Sequence, residues 1–163
     1  MVPKGTSLKV VTVAPAAGGP ISLGRAKTID RLRNALVTVG YTGDTVRQLL
    51  GEDAYQGRAR DIPVHLRRLT TGKPVETAIR AFFLGVPVPE DELARALAPL
   101  ETDELVRLGV VEPLAGDLRA TVRLVPHTDL FLAGNRYPDE TPGGTPADYV
   151  ATATACDPNL QDA

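Results

Sequence analysis

Apolar positions recur along this chain with a helical period up to about residue 109 and with a strand period after it. Ile29, Leu32, Leu36 and Val39 fall on one face of a helix that Thr28 caps and Gly40 ends. A shorter helix comes next, opened by Thr42 or Asp44, with Val46, Leu49 and Leu50 facing inward and Gly51 as its stop. Residues 52–60 read as a further turn of helix broken at Gly57. Asp61 then caps a helix with Pro63 in its first turn, where a missing amide proton costs nothing. Its apolar positions are Val64, Leu66 and Leu69, and it ends near Thr71-Gly72.

The stretch from Val75 to Ala133 organises the rest. Val75, Ile79, Phe82 and Phe83 make its first helix the expected buried centre, since two of the three Phe residues lie there. Gly85 ends it, and Pro87 and Pro89 keep the next connection extended. Glu90 and Asp91 open a helix with Leu93, Ala96 and Leu97 inward, acidic residues being favoured at the positive end of a helix dipole. Thr102 caps a third helix with Leu105 and Leu108 facing the core and Gly109 at its end. Val110 and Val111 lead into a turn at Ala115-Gly116-Asp117. Leu118, Ala120, Val122 and Leu124 then alternate with Arg119, Thr121 and Arg123 as one strand, and a turn at 126–129 returns the chain as Leu130–Ala133. Three helices and then a two-stranded ribbon is the order of a winged helix. The fold class expected is therefore mainly α with a small antiparallel β-ribbon. Residues 1–25 form an extension, 26–136 the helical domain, and 137–163 a Pro/Gly-rich tail or linker.

Composition narrows this picture little. A chain of 163 residues is long enough for a buried core, and with aromatics at 4% and no Trp that core is aliphatic. The single cysteine, Cys156, rules out an intramolecular disulfide and points to a reducing compartment, the cytoplasm. Lys9 interrupts the only early apolar run, which sets aside a signal peptide. No run approaches the roughly 20 apolar residues of a membrane span.

Charge changes the picture more. Residues 1–80 carry 13 Lys/Arg against 6 Asp/Glu, and residues 81–163 carry 5 against 14, so halves of +7 and −9 lie behind the net −2. Arg58, Arg60, Arg67, Arg68 and Lys73 cluster around His65, and Arg119 and Arg123 lie on the wet face of the ribbon. These arginines are the candidate contacts for an anion or a partner. The helix that would enter a DNA groove carries Glu101, Asp103 and Glu104 against Arg107, and the one before it carries Glu90, Asp91 and Glu92 against Arg95. Such charge opposes a polyanion. A winged-helix DNA-binding regulator is the alternative reading, and a protein partner or a second copy is preferred.

Four phrases carry a family resemblance: GYTGDTVRQLLGEDA (40–54), TAIRAFFLGVPVPEDELARAL (77–97), LVRLGVVEP (105–113) and VRLVPHTDLFLAGNRYPDETPGGTPADYV (122–150). Together they resemble the N-terminal domain of actinobacterial class I methyltransferases related to the release-factor glutamine methyltransferases. The resemblance implies a winged, helical substrate-recognition or packing module whose 122–150 segment leads into an S-adenosylmethionine-binding domain. His127 caps or packs the strand turn, or meets that domain; Asn135, Arg136 and Tyr137 open a loop that is a linker or a contact at the same boundary.

Catalytic chemistry is not legible. The acidic, glycine-rich turn after a strand that holds S-adenosylmethionine is missing, as is the Asn-Pro-Pro-Tyr/Phe motif, and thirteen residues after Val150 are too few for a doubly wound domain. The chain is thus expected to bind no cofactor alone, as a truncated piece of an enzyme or a free-standing module. His65 lacks ligand partners at metal spacing, and Ser7 and Ser22, the only serines, sit in the extension.

Overall fold

A computed structural model describes residues 23–56, 59–128 and 130–134. Among the described residues six helices carry the body: α1 (Leu23–Thr38), α2 (Gly43–Leu50), α3 (Ile62–Leu66), α4 (Pro74–Ala78), α5 (Glu90–Leu97) and α6 (Thr102–Leu108). Short 3₁₀ segments, Glu52–Gln56 and Ala59–Asp61, join α2 to α3. Two small antiparallel sheets complete it: β1 (Val88–Pro89), β2 (Val111–Leu114) and β3 (Asp117–Ala120) in the order β1-β3-β2, and the hairpin of β4 (Arg123–His127) and β5 (Leu130–Gly134). The fold is mainly α with small antiparallel ribbons, as the change of period implied.

At the centre, α4 runs without a break into a π-helical turn, Ile79–Phe83, in which Leu84 N–H donates to Ile79 O at 2.9 Å. A helix buried on most sides must be apolar on most sides, and Ile79, Ala81, Phe82, Phe83 and Leu84 are all buried while Arg80 reaches partly to the surface. Burying Phe82 and Phe83 alone contributes about 1.5–3 kcal/mol each. Glu76 is also buried, at 1% exposure, and its carboxylate is fully spent. It accepts from Thr71 N–H and Gly72 N–H, both at 2.9 Å, and from the Thr71 hydroxyl at 2.7 Å. Three donors offset the cost of taking a carboxylate out of water, and they pin the turn before α4 to its first residues.

Around this centre the helical periodicity is realised closely. Val46 and Leu50 of α2, and Leu93, Ala96 and Leu97 of α5, are buried as expected. Thr42 caps α2, its hydroxyl accepting from Thr45 N–H at 3.2 Å. Elsewhere the expectations need correcting. The first helix begins at Leu23, not at Thr28, which lies within it. On α3 the inward residue is His65, while Val64, assigned to the apolar face, is 51% exposed. Glu101 rather than Thr102 is the N-cap of α6, and the Thr102 hydroxyl donates instead to Glu90 at 2.8 Å. Leu108 is only half-buried.

The largest correction concerns the ribbon. The expected strand through Leu118 and Leu124 is two strands in two sheets. Its first half, β3, pairs with β2 (Leu118 opposite Pro113, Ala120 opposite Val111) and with β1 (Leu118 opposite Val88). Its second half, β4, pairs with β5, Val125 lying opposite Leu132. Pro89 sits in the two-residue β1 at the sheet's edge, where its missing N–H removes no ladder bond the sheet requires.

Candidate functional site

The hairpin β4–β5 is held to the helical body by two side chains from other segments and one of its own. Pro126 has no N–H, so its pairing with Phe131 is a position where main-chain groups point away from β5; by the alternation of an antiparallel ladder the same holds for Leu124 opposite Ala133. The outward carbonyls of these two residues are the ones that accept tyrosine hydroxyls. Tyr41 OH donates to Leu124 O at 2.5 Å, and Tyr55 OH donates to Pro126 O at 3.1 Å. Tyr41 lies between α1 and α2 and stacks on Phe131 of β5 with ring centroids 5.8 Å apart. Tyr55, on the 3₁₀ segment, meets Phe83 edge-on at 5.3 Å, and the Arg47 guanidinium sits 4.8 Å over the Tyr55 ring. Burial raises the Tyr55 pKa, Arg47 opposing and Asp44 adding, so the hydroxyl keeps its proton and donates. Gly43 makes room for this arrangement: a Cβ there would stand 3.2 Å from the Tyr55 hydroxyl and 3.5 Å from Pro126 O.

Arg123 completes the clamp from the strand side. Its Nε donates to Phe83 O at 3.0 Å and its guanidinium lies 5.3 Å from the Phe83 ring centre. Phe83 closes the central helix, so a cation there satisfies an end carbonyl and meets the negative end of the dipole. Arg123 was expected among the anion contacts; the structure commits it to folding.

The other basic candidates divide in the same way. The Arg68 guanidinium donates to Leu50 O at the end of α2 and stands 2.8 Å from where a Cβ of Gly51, at φ +93°, would be. Arg119 pairs across the ladder with Glu112, its Nε donating at 2.9 Å. Arg60 has the Asp61 carboxylate 3.9 Å away. Arg67 is exposed. Arg58, Asn135, Arg136 and Tyr137 lie outside the described residues. His127 is exposed at the end of β4. His65 is buried with Nδ1 unpartnered, and its pKa is lowered, first by burial and then by Arg68, with Asp61 and Asp53 opposing.

Much of the acidic charge expected on α5 and α6 is used within the fold. Glu92 pairs with Arg80 of the π turn, Asp91 with Arg95 at 2.9 Å, and Glu104 with Arg31 of α1 at 2.5 Å. Arg31 also donates to Pro99 O at 3.1 Å, and Arg25 donates to Leu108 O at 3.4 Å, so α1 lies against α5 and α6. The charged positions left exposed on α6 and its cap are Glu101, Asp103 and Arg107.

Among the described residues no group of three His, Cys, Asp or Glu side chains is placed to hold a metal, and no helix is long and apolar enough to cross a membrane. The tyrosine clamp and the Glu76 turn were not anticipated. Tyr41 comes directly after Gly40 in a helix-ending turn, yet nothing local announces a partner 83 positions away.

A family model matches residues 38–121, which is α2 through β3 with the end of α1. The chain belongs to the family described as Domain of unknown function (DUF7059). The match takes in the central helix and the three-stranded sheet; most of α1 and the hairpin β4–β5 lie beyond it. No curated protein and no solved structure matches the chain.

Proposed function

We propose that this chain is a non-catalytic recognition and packing module, of the kind found N-terminal to the catalytic domain in the S-adenosylmethionine-dependent methyltransferases it resembles, and that it works in the cytoplasm. It presents a surface to a catalytic domain, a substrate protein or a second copy. The observation that carries this reading is the clamped hairpin. Tyr41, Tyr55 and Arg123 fix β4 to the helical body in the segment that, in the resembling enzymes, leads toward the cofactor domain. A mount of this kind is needed where a neighbouring domain must be held at a set angle.

The succession of α4, β1, α5, α6, β2 and β3, with β1 joining β3, supports a winged-helix description of the platform. That arrangement also favours the second reading, a DNA-binding regulator. Two observations weigh against it. The Arg31–Glu104 pair holds α1 along α6, and the charges α6 and its cap still expose are Glu101 and Asp103 against Arg107.

Calorimetric titration of the chain with S-adenosylmethionine tests the proposal. No saturable heat is expected, and measurable binding would overturn the non-catalytic reading. A mobility shift on duplex DNA that weakens steeply with salt would replace it with the regulator.

A further inference from the structure

The outward face of α3 has no role in folding that its contacts reveal. Arg60, Pro63, Val64 and Arg67 recur at i, i+3, i+4 and i+7, so they share one side of the helical run 59–66 and the turn after it, and all four are exposed. The opposite side packs inward through His65, Leu66 and Leu69. Val64 is 51% exposed, one of three large apolar side chains so placed among the described residues. A β-branched residue is a poor choice for an exposed helical position that contacts nothing. The arginines beside it, like Arg33 and Arg107, are not tied into the fold as most of the others are. Arg31, Arg68, Arg80, Arg119 and Arg123 each donate to a carboxylate or carbonyl. Arg60 has only a 3.9 Å approach to the adjacent Asp61, and Arg67 forms no hydrogen bond or ion pair with the described residues.

We propose that this face docks an acidic segment of a partner polypeptide, one that places an aliphatic side chain between two carboxylates. The proposal rests on the interaction-module reading and names its surface. Charge complementarity requires an anionic guest, and the apolar pair Pro63 and Val64 at the centre decides which kind. Nucleic acid would set a phosphate backbone against those two residues, and two arginines release far fewer counterions than the roughly 6–10 phosphate contacts of a salt-sensitive nucleic-acid binder. An anionic membrane needs a longer amphipathic face, of the order of 20 residues, than the five-residue α3 provides.

The 3₁₀ residues 59–61 and α3 together separate Arg60 and Arg67 by about 11 Å along the axis. An extended Glu-x-Leu-x-Glu segment spans roughly 13 Å between its outer residues, with the leucine centred on the same side. Two arginine side chains bridge that difference. The guanidiniums then hold the carboxylates while the leucine covers Val64.

The test is fluorescence anisotropy at low salt with a labelled Gly-Glu-Ser-Leu-Ser-Glu-Gly peptide. Saturable binding is expected, weakened about tenfold or more by Arg60→Glu with Arg67→Glu, a loss of about 1.4 kcal/mol. Val64→Asp and a peptide with Ser in place of Leu are expected to weaken it several-fold, and Lys27→Glu on α1 to leave it unchanged. Circular dichroism on each exposed-site variant confirms that the fold is intact. Absence of binding at about 1 mM peptide, the free-energy range of a few kcal/mol, overturns the proposal. Equal weakening by Lys27→Glu, or tighter binding to duplex DNA or phosphatidylserine vesicles than to the peptide, does so as well. Silence toward both the peptide and S-adenosylmethionine removes this surface and leaves the module reading standing, whereas heat from S-adenosylmethionine removes the module reading.

Discussion

Tyr41 donates its hydroxyl proton to the main-chain oxygen of Leu124, 83 positions further along, at 2.5 Å, with Tyr41 1% exposed. The bond joins the turn between α1 and α2 to a strand outside the family match, and the stacking of the same ring on Phe131 carries the contact across to β5. Hairpin and body therefore lose this attachment together.

Replacing Tyr41 with Phe keeps the ring and its stacking but leaves Leu124 O without its buried donor. The expected cost is about 1–2 kcal/mol, read as a lower urea midpoint with unchanged slope. Faster amide exchange at Val125 and Leu132, paired across the hairpin, is the local signature. An unchanged midpoint would show that the hydroxyl does not hold the hairpin.

Glu76→Gln tests the turn before α4. The amide oxygen can keep the Thr71 and Gly72 N–H groups while the NH2 donates to the Thr71 hydroxyl oxygen, so what the substitution removes is the negative charge that strengthens the three bonds. Destabilisation of about 1–3 kcal/mol is expected in equilibrium denaturation. Because the contact is local to residues 71–76, Thr71→Ala should reproduce part of it, and the two effects should not add.

The helices of this fold were readable because each periodic segment is long enough to fix its own inward side: Leu93, Ala96 and Leu97 admit one solution on an eight-residue helix. On the five residues of α3 the same logic fails, since Val64 and His65 are one step apart and either side of so short a helix can face the core. Alternation from Leu118 to Leu124 identified strand without identifying its partner, and the chain changes sheets after Ala120 while the alternation continues. The basic cluster was legible as charge alone. Which arginines serve the fold depends on distant carbonyls, as with Arg68 at Leu50 O and Arg123 at Phe83 O.

His65 should make stability fall in mild acid. Burial and Arg68 hold its folded pKa below the usual 6.5, so above that value neither folded nor unfolded chain binds the proton. As the pH falls below about 6.5 the unfolded chain takes the proton first, and stability declines until the folded pKa is passed. Urea midpoints between pH 7.5 and pH 5.5 should therefore decrease in the parent chain and decrease less in His65→Leu. Equal slopes would remove His65 as the source.

Arg119, expected to contact an anion or a partner, forms a half-exposed cross-strand pair with Glu112. A double-mutant cycle with Arg119→Ala and Glu112→Ala should return a coupling below about 1 kcal/mol, falling further at high salt. A larger, salt-insensitive coupling would mean that the pair is shielded from solvent in solution.

The two tyrosine hydroxyls and the proline of β4 have one more effect, on how the molecule behaves in a crowd. A short apolar strand is a template on which another chain can add itself through main-chain bonds. On the outer side of β4 the carbonyls of residues 124 and 126 are already occupied and the amide proton of residue 126 does not exist. The strand is thereby closed to edge-on self-association without placing a single charge among Leu124, Val125 and Pro126. A substitution at Tyr41 or Tyr55 should consequently raise the tendency to aggregate at concentrations where the fold itself survives.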